Sequence, residues 1–274
     1  MSFAEDTAVT AVGPGSFRAE LDPRWLSLVS IHGGYRAAIL ARAIEATVAD
    51  PGKPLRTMAV QFAGVATPGP VDVEVEVERM GRSLTTTSAR MRQHGKVIQV
   101  AHALSARPSG GPTYDELDRP RTAEPGEIPR FVPEGDVVHF QNVEVRMDPS
   151  VVPFGGGDIA WLAAWIRPHD REPIDAPWVV AVCDLLPPAV FTRTTAPVRA
   201  ATLDYIVHLA TGEPRLSDAE HVFLECHSPL AREGFAVENA TMWAPDGTVL
   251  AMARQTRLAG GEPRPLGASG AQST

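Results

Sequence analysis

His32-Gly33-Gly34-Tyr35-Arg36-Ala37-Ala38-Ile39-Leu40-Ala41-Arg42-Ala43-Ile44-Glu45-Ala46-Thr47 is the stretch that decides how this chain folds. Ala, Leu and Ile dominate it, with Arg36, Arg42 and Glu45 interspersed. That composition predicts a helix over Gly34–Thr47, short enough to be buried under a sheet. The paired glycines let the backbone turn tightly into it. Upstream, Phe17, Ala19 and Leu21 alternate with polar partners as a short strand, which Pro23-Arg24-Trp25 breaks. Downstream the period changes. Val71, Val73, Val75 and Val77 alternate with Asp72, Glu74, Glu76 and Glu78, so one face packs and the other is wet. The turn Met80-Gly81-Arg82 feeds a Thr-rich strand to Gln93, and His94-Gly95 reverses the chain into Val97–Leu104.

The pattern is then written again. A helix-like stretch from Trp178 to Leu186, stopped by Pro187-Pro188, leads to Leu203-Asp204-Tyr205, as the first helix led to Val60-Gln61-Phe62. Thr211-Gly212-Glu213-Pro214 echoes Thr67-Pro68-Gly69-Pro70. Strands are predicted over Ala200–Leu209, His221–Ser228, Phe235–Ala244 and Thr248–Leu258, with a Pro245-Asp246-Gly247 hairpin turn between the last two. Laid over each other, Gln61 falls on Asp204 and Ala103 on Gln255. Two copies are too few for a solenoid and suit a symmetric pair fused into one chain. A helix wrapped by a curved antiparallel sheet, written twice, is an α+β double hot-dog. Its two units align edge to edge into one continuous sheet with both helices on one side, which removes aggregation-prone edges.

Domain bounds follow: an N-terminal hot-dog over 1–108, a linker over 109–130, and a C-terminal hot-dog over 131–274. Residues 1–15 read as a loose arm. The stretch 108–130 is rich in Pro, Gly and charge, with no room for a core. Phe140–Met147 reads as a strand, Ile159–Ile166 as a strand or a short helix, and the tail after about 260 as disordered. With 274 residues, 44% of them hydrophobic, a sizeable core is within reach. The formal charge of -8 argues against nucleic acid, whose phosphates demand a basic face. No window resembles a membrane span of about 20 apolar residues. The N-terminus, carrying Glu5 and Asp6, lacks the basic start and apolar run of a signal peptide, so a cytoplasmic location is expected. Cys183 and Cys226 give neither metal spacing nor a disulfide framework, and read as buried small hydrophobes. A homo-oligomer, dimer or higher, is expected because hot-dog sheets pack through faces and edges.

Several polar residues stand out. Asp204 lies between Leu203 and Tyr205 in an apolar strand, where a carboxylate is costly unless hydrogen-bonded; alternation equally allows it to face water. Gln255 has no polar counterpart in the first half, and its amide can hold a water against a carboxylate. Glu225-Cys226-His227-Ser228-Pro229 ends a strand and offers His227 or Ser228 as a third polar group, although a turn serine and an exposed histidine are the plainer readings. A Ser-His-Asp nucleophile is disfavoured, because no G-x-S-x-G elbow is present. Backbone N–H groups at His32-Gly33-Gly34 could receive an oxyanion. His32 itself reads as a general base or as a partly buried structural histidine. Gly155-Gly156-Gly157 matches neither a phosphate loop nor a dinucleotide fingerprint.

These residues resemble the acyl-CoA thioesterase II family, the bacterial and peroxisomal double hot-dog enzymes. The resemblance rests on His32-Gly33-Gly34-Tyr35, on Phe62–Pro70 with the Val/Glu strand, on Gly81-Arg82-Ser83-Leu84 and Arg90, and on Leu203-Asp204-Tyr205, Gly234-Phe235 and Asp246-Gly247 through Ala253-Arg254-Gln255. It covers roughly Phe17 to Leu258, and order and spacing carry it. In that family an Asp, a Thr or Ser, and a Gln of the second hot-dog orient a water that attacks the thioester carbonyl. The resemblance implies Asp204, Ser228 and Gln255 in those roles, Ser228 being preferred to His227 because it alone offers the hydroxyl. His32, Gly33, Gly34 and Tyr35 are implied on the oxyanion and substrate side. After Gln255 the chain departs from the family, with Thr256-Arg257-Leu258 where a Glu-Gly pair is common. The implied reaction is direct hydrolysis of an acyl-CoA, with coenzyme A as leaving group and neither metal nor cofactor. A non-hydrolytic acyl-thioester binder and a hydratase or dehydratase built around His32 or His227 are the competing readings.

Overall fold

The computed structural model describes residues 2–260 apart from 29, 133–136, 170–171, 213–215 and 217–219. The expected disordered tail and the end of the Thr211–Pro214 turn lie outside these described residues. The first half runs α1 (Phe3–Asp6), β1 (Thr10–Gly13), β2 (Ser16–Leu21), α2 (Gly33–Val48), β3 (Leu55–Phe62), β4 (Gly69–Met80), β5 (Leu84–Gln93) and β6 (Lys96–Ala106). The second runs β7 (Val143–Met147), β8 (Trp161–Pro168), α3 (Ala176–Val182), β9 (Ala200–Leu209), β10 (Val222–Arg232), β11 (Phe235–Trp243) and β12 (Val249–Ala259).

Among the described residues twelve strands form one sheet, in the order β1-β2-β4-β5-β6-β3-β9-β12-β11-β10-β8-β7. The halves join at β3 and β9, antiparallel, with Val60 opposite Tyr205 and Gln61 opposite Asp204. This is the double hot-dog that the duplicated pattern predicts. Helix α2 is buried on nearly all sides, from Gly34 to Ile44, as an apolar helix inside a wrapped sheet must be. His32 caps its start, its Nδ1 accepting from the Tyr35 N–H at 3.2 Å. Ala49 ends it in the left-handed conformation. Helix α3 packs against α2 so closely that a Cβ on Gly34 would overlap the Ala181 carbonyl.

Three expectations need correction. The arm over 1–15 is ordered: Ser2 and Glu5 form a capping box on α1. The Asp6 carboxylate there accepts from Trp25 Nε1 at 3.0 Å and pairs with Arg24. The 109–130 segment is not merely a tether. Ile128 is buried, Trp165 Nε1 donates to the Ala123 carbonyl at 3.0 Å, and Arg119 lies 4.6 Å over the Trp165 ring. It covers an aromatic patch of Trp165, Phe223 and Trp243 on the sheet face away from the helices, gaining apolar burial that its composition hides. The undecided Ile159–Ile166 stretch is strand β8, and the strand expected from Phe140 starts at Val143, after a 3-10 turn over Val138–Asn142. Among the described residues no helix is long and apolar enough to cross a membrane.

Candidate active site

Side-chain direction on β9 and β12 settles which polar groups can meet. Tyr205 and Val207 are buried on the helix side, and the Tyr205 hydroxyl donates to the Val180 carbonyl of α3 at 2.7 Å. Gln255 lies opposite Tyr205 in the ladder and shares that face, where it is 1% exposed. Asp204 is the next residue along β9 and therefore points the other way. Its carboxylate accepts from the Thr256 N–H at 3.1 Å. Asp204 and Gln255 thus sit on opposite faces of the sheet, and the expected pairing of the two is wrong. Ser228 fails differently. It shares the helix-side face, but β11 separates it from Gln255, a gap of roughly 10 Å for two strand spacings. Its hydroxyl donates to the Val237 carbonyl at 3.0 Å.

A bulge explains what stands beside Gln255 instead. The β9–β12 register runs Asp204 opposite Thr256, then Thr202 opposite Arg257, leaving Leu203 as an extra residue. The extra residue reverses the alternation and turns Thr202 to the helix side. There the Thr202 hydroxyl donates to Gln255 Oε1 at 3.0 Å. Asp204 holds that bulge shut through its bond to Thr256. Asp204→Asn is therefore expected to keep kcat within about threefold of wild type, because an amide oxygen still accepts the Thr256 N–H. Steady-state kinetics on the purified variant checks this, and a loss of two orders of magnitude would restore Asp204 to the chemistry.

The carboxylate that does approach Gln255 is Asp184, just beyond the end of α3. It is 7% exposed, and burial raises its pKa. The Arg257 charge, the Gln255 amide and the Gly34 N–H at the start of α2 act in the opposite direction. Arg257 Nη2 lies 3.6 Å from Asp184 Oδ1. Gly33 makes the approach possible, since a Cβ there would stand 2.8 Å from Asp184 Oδ2. Among the described residues, neither Asp184 Oδ1 nor Gln255 Nε2 has a hydrogen-bond partner that satisfies donor–acceptor geometry. The Asp184 carboxyl, the Gln255 amide and the Arg257 guanidinium thus converge in one buried cluster whose hydrogen-bonding capacity is not filled.

The expected oxyanion side divides. Gly33 and Gly34 lie against Asp184. His32 closes the same end of α2: its Nε2 meets the Asp184 carbonyl at 3.1 Å while Nδ1 accepts from Tyr35 N–H, so both ring nitrogens are engaged. Burial pushes its pKa down to about 4, with Arg36 and Arg257 acting in the same direction. His139 stacks on it at 4.7 Å. A neutral, doubly bonded ring is a clamp on Asp184 rather than a base. Tyr35 does not belong to the site. Its hydroxyl reaches the Asp6 and Glu20 carbonyls and its ring stacks on Trp25, so it pins the N-terminal segment.

Asp184 could have been found in the sequence: it is a lone carboxylate in the apolar run Trp178–Leu186. Thr202 carried no such signal. Among the described residues no group of His, Cys, Asp and Glu could hold a metal ion.

Comparison with known proteins gives two family matches. The acyl-CoA thioesterase N-terminal domain matches residues 21–106, and the acyl-CoA thioesterase C-terminal domain matches residues 115–259. No match was found among curated protein sequences. Solved structures share the fold at low identity. A hot-dog protein of Alicyclobacillus acidocaldarius superposes with a TM-score of 0.87 at 23% identity, covering 95% of this chain and 98% of its own. The acyl-CoA thioesterase II TesB2 of Mycobacterium marinum gives 0.77 at 20% identity, over 96% and 99%. The TesB protein of Mycobacterium avium subspecies paratuberculosis gives 0.77 at 19%, over 94% and 98%. The two family matches cover both halves of the sheet and include Asp184, Thr202 and Gln255, so this chain belongs to the acyl-CoA thioesterase family and is a thioester hydrolase.

Proposed function

We propose that this enzyme hydrolyses a fatty acyl-CoA, or a related acyl thioester, with a water held by Asp184 and Gln255, the Gln255 amide being oriented by Thr202. The observation that carries the reading is the convergence of the buried Asp184 carboxyl and the Gln255 amide, with Asp184 Oδ1 and Gln255 Nε2 left without a well-formed hydrogen bond. A water bound beside the pair accepts from the amide and donates to the carboxylate, which leaves its other lone pair for the carbonyl carbon. Asp184 takes the proton as the C–O bond forms, and the tetrahedral intermediate collapses by breaking the C–S bond. The proton passes to the departing thiolate, giving free acid and thiol. Asp184's raised pKa suits a base working nearer neutrality than an ordinary carboxylate. The Gly33 N–H, at the positive end of α2, is the donor we assign to the developing oxyanion.

His32 is committed through both nitrogens, which disfavours a hydratase built on it. The test is free-thiol release by the purified chain from acyl-CoAs of graded chain length. Catalysed release at some length supports the reading; tight binding with no release at any length would make the protein an acyl-thioester binder.

A further inference from the structure

We propose that Arg257, locked against Glu238, is a positioning residue. It sets the direction of the hydrogen-bond chain through Thr202 into Gln255, and so aims the Gln255 amide nitrogen at the Asp184 carboxyl. The inference rests on the proposed site.

Arg257 is buried on β12, two residues beyond Gln255 and on the same face. Its Nε and Nη2 donate to Glu238 Oε1 at 2.9 and 2.7 Å. Glu238, on β11, is 0% exposed, and its other oxygen accepts from the Ala189 N–H at 2.6 Å. The guanidinium is thus fixed at one edge by a carboxylate that is itself fixed. From the other edge Nη1 donates to Thr202 Oγ1 at 2.9 Å.

The donor inventory then dictates the rest. A guanidinium has no acceptor, so Thr202 must accept from it. With one Thr202 lone pair taken by Arg257, the hydroxyl proton is directed at Gln255, whose oxygen faces it. The amide nitrogen then lies on the other side, toward Asp184. Without Arg257 the Thr202 hydroxyl could rotate and accept from the amide nitrogen equally well, and Gln255 could present the wrong end to the water. An amide turned that way would offer the water an acceptor where it needs a donor. A buried ion pair is weak evidence for stability; this one has a directional role that an apolar pair of the same volume could not fill.

The charge contributes separately. Asp184 is faced by Arg257 from β12, Arg36 and neutral His32 from α2 and its cap, Tyr205 from β9 and its neighbour Cys183, with Glu238 on β11 behind Arg257. The cations keep the carboxyl ionised to lower pH.

Removing Arg257 alone would strand Glu238, so the test uses R257M/E238Q, in which the Gln oxygen keeps the Ala189 bond. The folded double variant is expected to lose kcat by about 10- to 100-fold with KM within about twofold. Its acid limb should move to higher pH. Adding Q255A should cost little more, whereas Q255A alone should lower kcat comparably. R257K should restore much of the acid limb but not kcat, because an ammonium on a flexible stem cannot hold Glu238 and Thr202 in one plane. Wild-type kcat in folded R257M/E238Q, or full kcat in R257K, would overturn the directional role. D184N in the same assay separates the failures. If D184N is inactive while R257M/E238Q is normal, only this inference falls; if D184N is fully active, the site reading falls with it.

Discussion

Asp184→Asn is expected to lower kcat/KM by roughly 10²- to 10⁴-fold, the range a positioned general base supplies, while raising the thermal midpoint at neutral pH. Activity falls because the carboxamide removes the base that takes the proton of the water. Stability moves the other way for an electrostatic reason. Burial raises the Asp184 pKa in the folded enzyme, so the fold favours the neutral form. For a carboxyl raised in this direction, the stabilising contribution is complete below its unfolded pKa and is lost as pH rises through the folded value. At neutral pH the ionised group is therefore a net cost, which a neutral amide of the same shape avoids. Arg257 keeps its stronger partner, Glu238, in the variant. Each kcal/mol recovered shifts the midpoint by about 2–4 °C in a chain of this size. The difference between variant and wild type should shrink as the pH is lowered and the wild-type carboxyl protonates. Differential scanning calorimetry across pH, run beside thiol-release kinetics, reads both quantities. A variant both active and less stable at neutral pH would sink the assignment of Asp184 as a buried base.

Gly34→Ala should be strongly damaging for a single added methyl. Helix propensity alone favours the change by about 1 kcal/mol. Packing opposes it, because the new Cβ meets the Ala181 carbonyl, a backbone atom that cannot swing aside. Overpacking of this kind costs typically ~1–3 kcal/mol and more where backbone must shift. The helices α2 and α3 would be forced apart at the contact that sets Asp184, whose N–H bonds to the same Ala181 carbonyl at 3.3 Å. We expect a thermal midpoint lower by several degrees and activity reduced together with it. Gly33→Ala is the contrast. Its Cβ would meet two side-chain ends, Asp184 Oδ2 at 2.8 Å and Phe62 Cζ at 2.9 Å, which can yield. It should retain most of the stability while losing activity. Equal midpoints for G34A and wild type would show that the helix contact is looser than the structure has it.

The architecture was legible because periodicity is a local property. Alternation in Val71–Val77 and the apolar density of Tyr35–Thr47 follow from neighbours in sequence, and the repetition of both in the second half implied the continuous sheet. The linker and arm were misread for the same reason. Composition reports what a segment can bury by itself, and Ile128 and Ala123 are held by Trp165, which lies far along the chain.

The site was legible only in part. Gln255 could be found as a polar residue in the last strand with no polar counterpart in the first half. Asp204 stood out differently, as a carboxylate in an apolar strand, and misled the reading, because a sequence shows which residues alternate but not which face the helices cover. Asp184 was hidden inside a predicted helix, and Thr202 was hidden by the Leu203 bulge that turns it inward. A bulge is a property of paired strands: one extra residue on β9 has meaning only against β12. By itself, then, the sequence determined the duplicated sheet and the buried first helix, and it singled out the glutamine of the proposed site. Only the tertiary structure decided which carboxylate and which hydroxyl join that glutamine, since strand pairing and helix contact bring together residues 18, 53 and 71 positions apart.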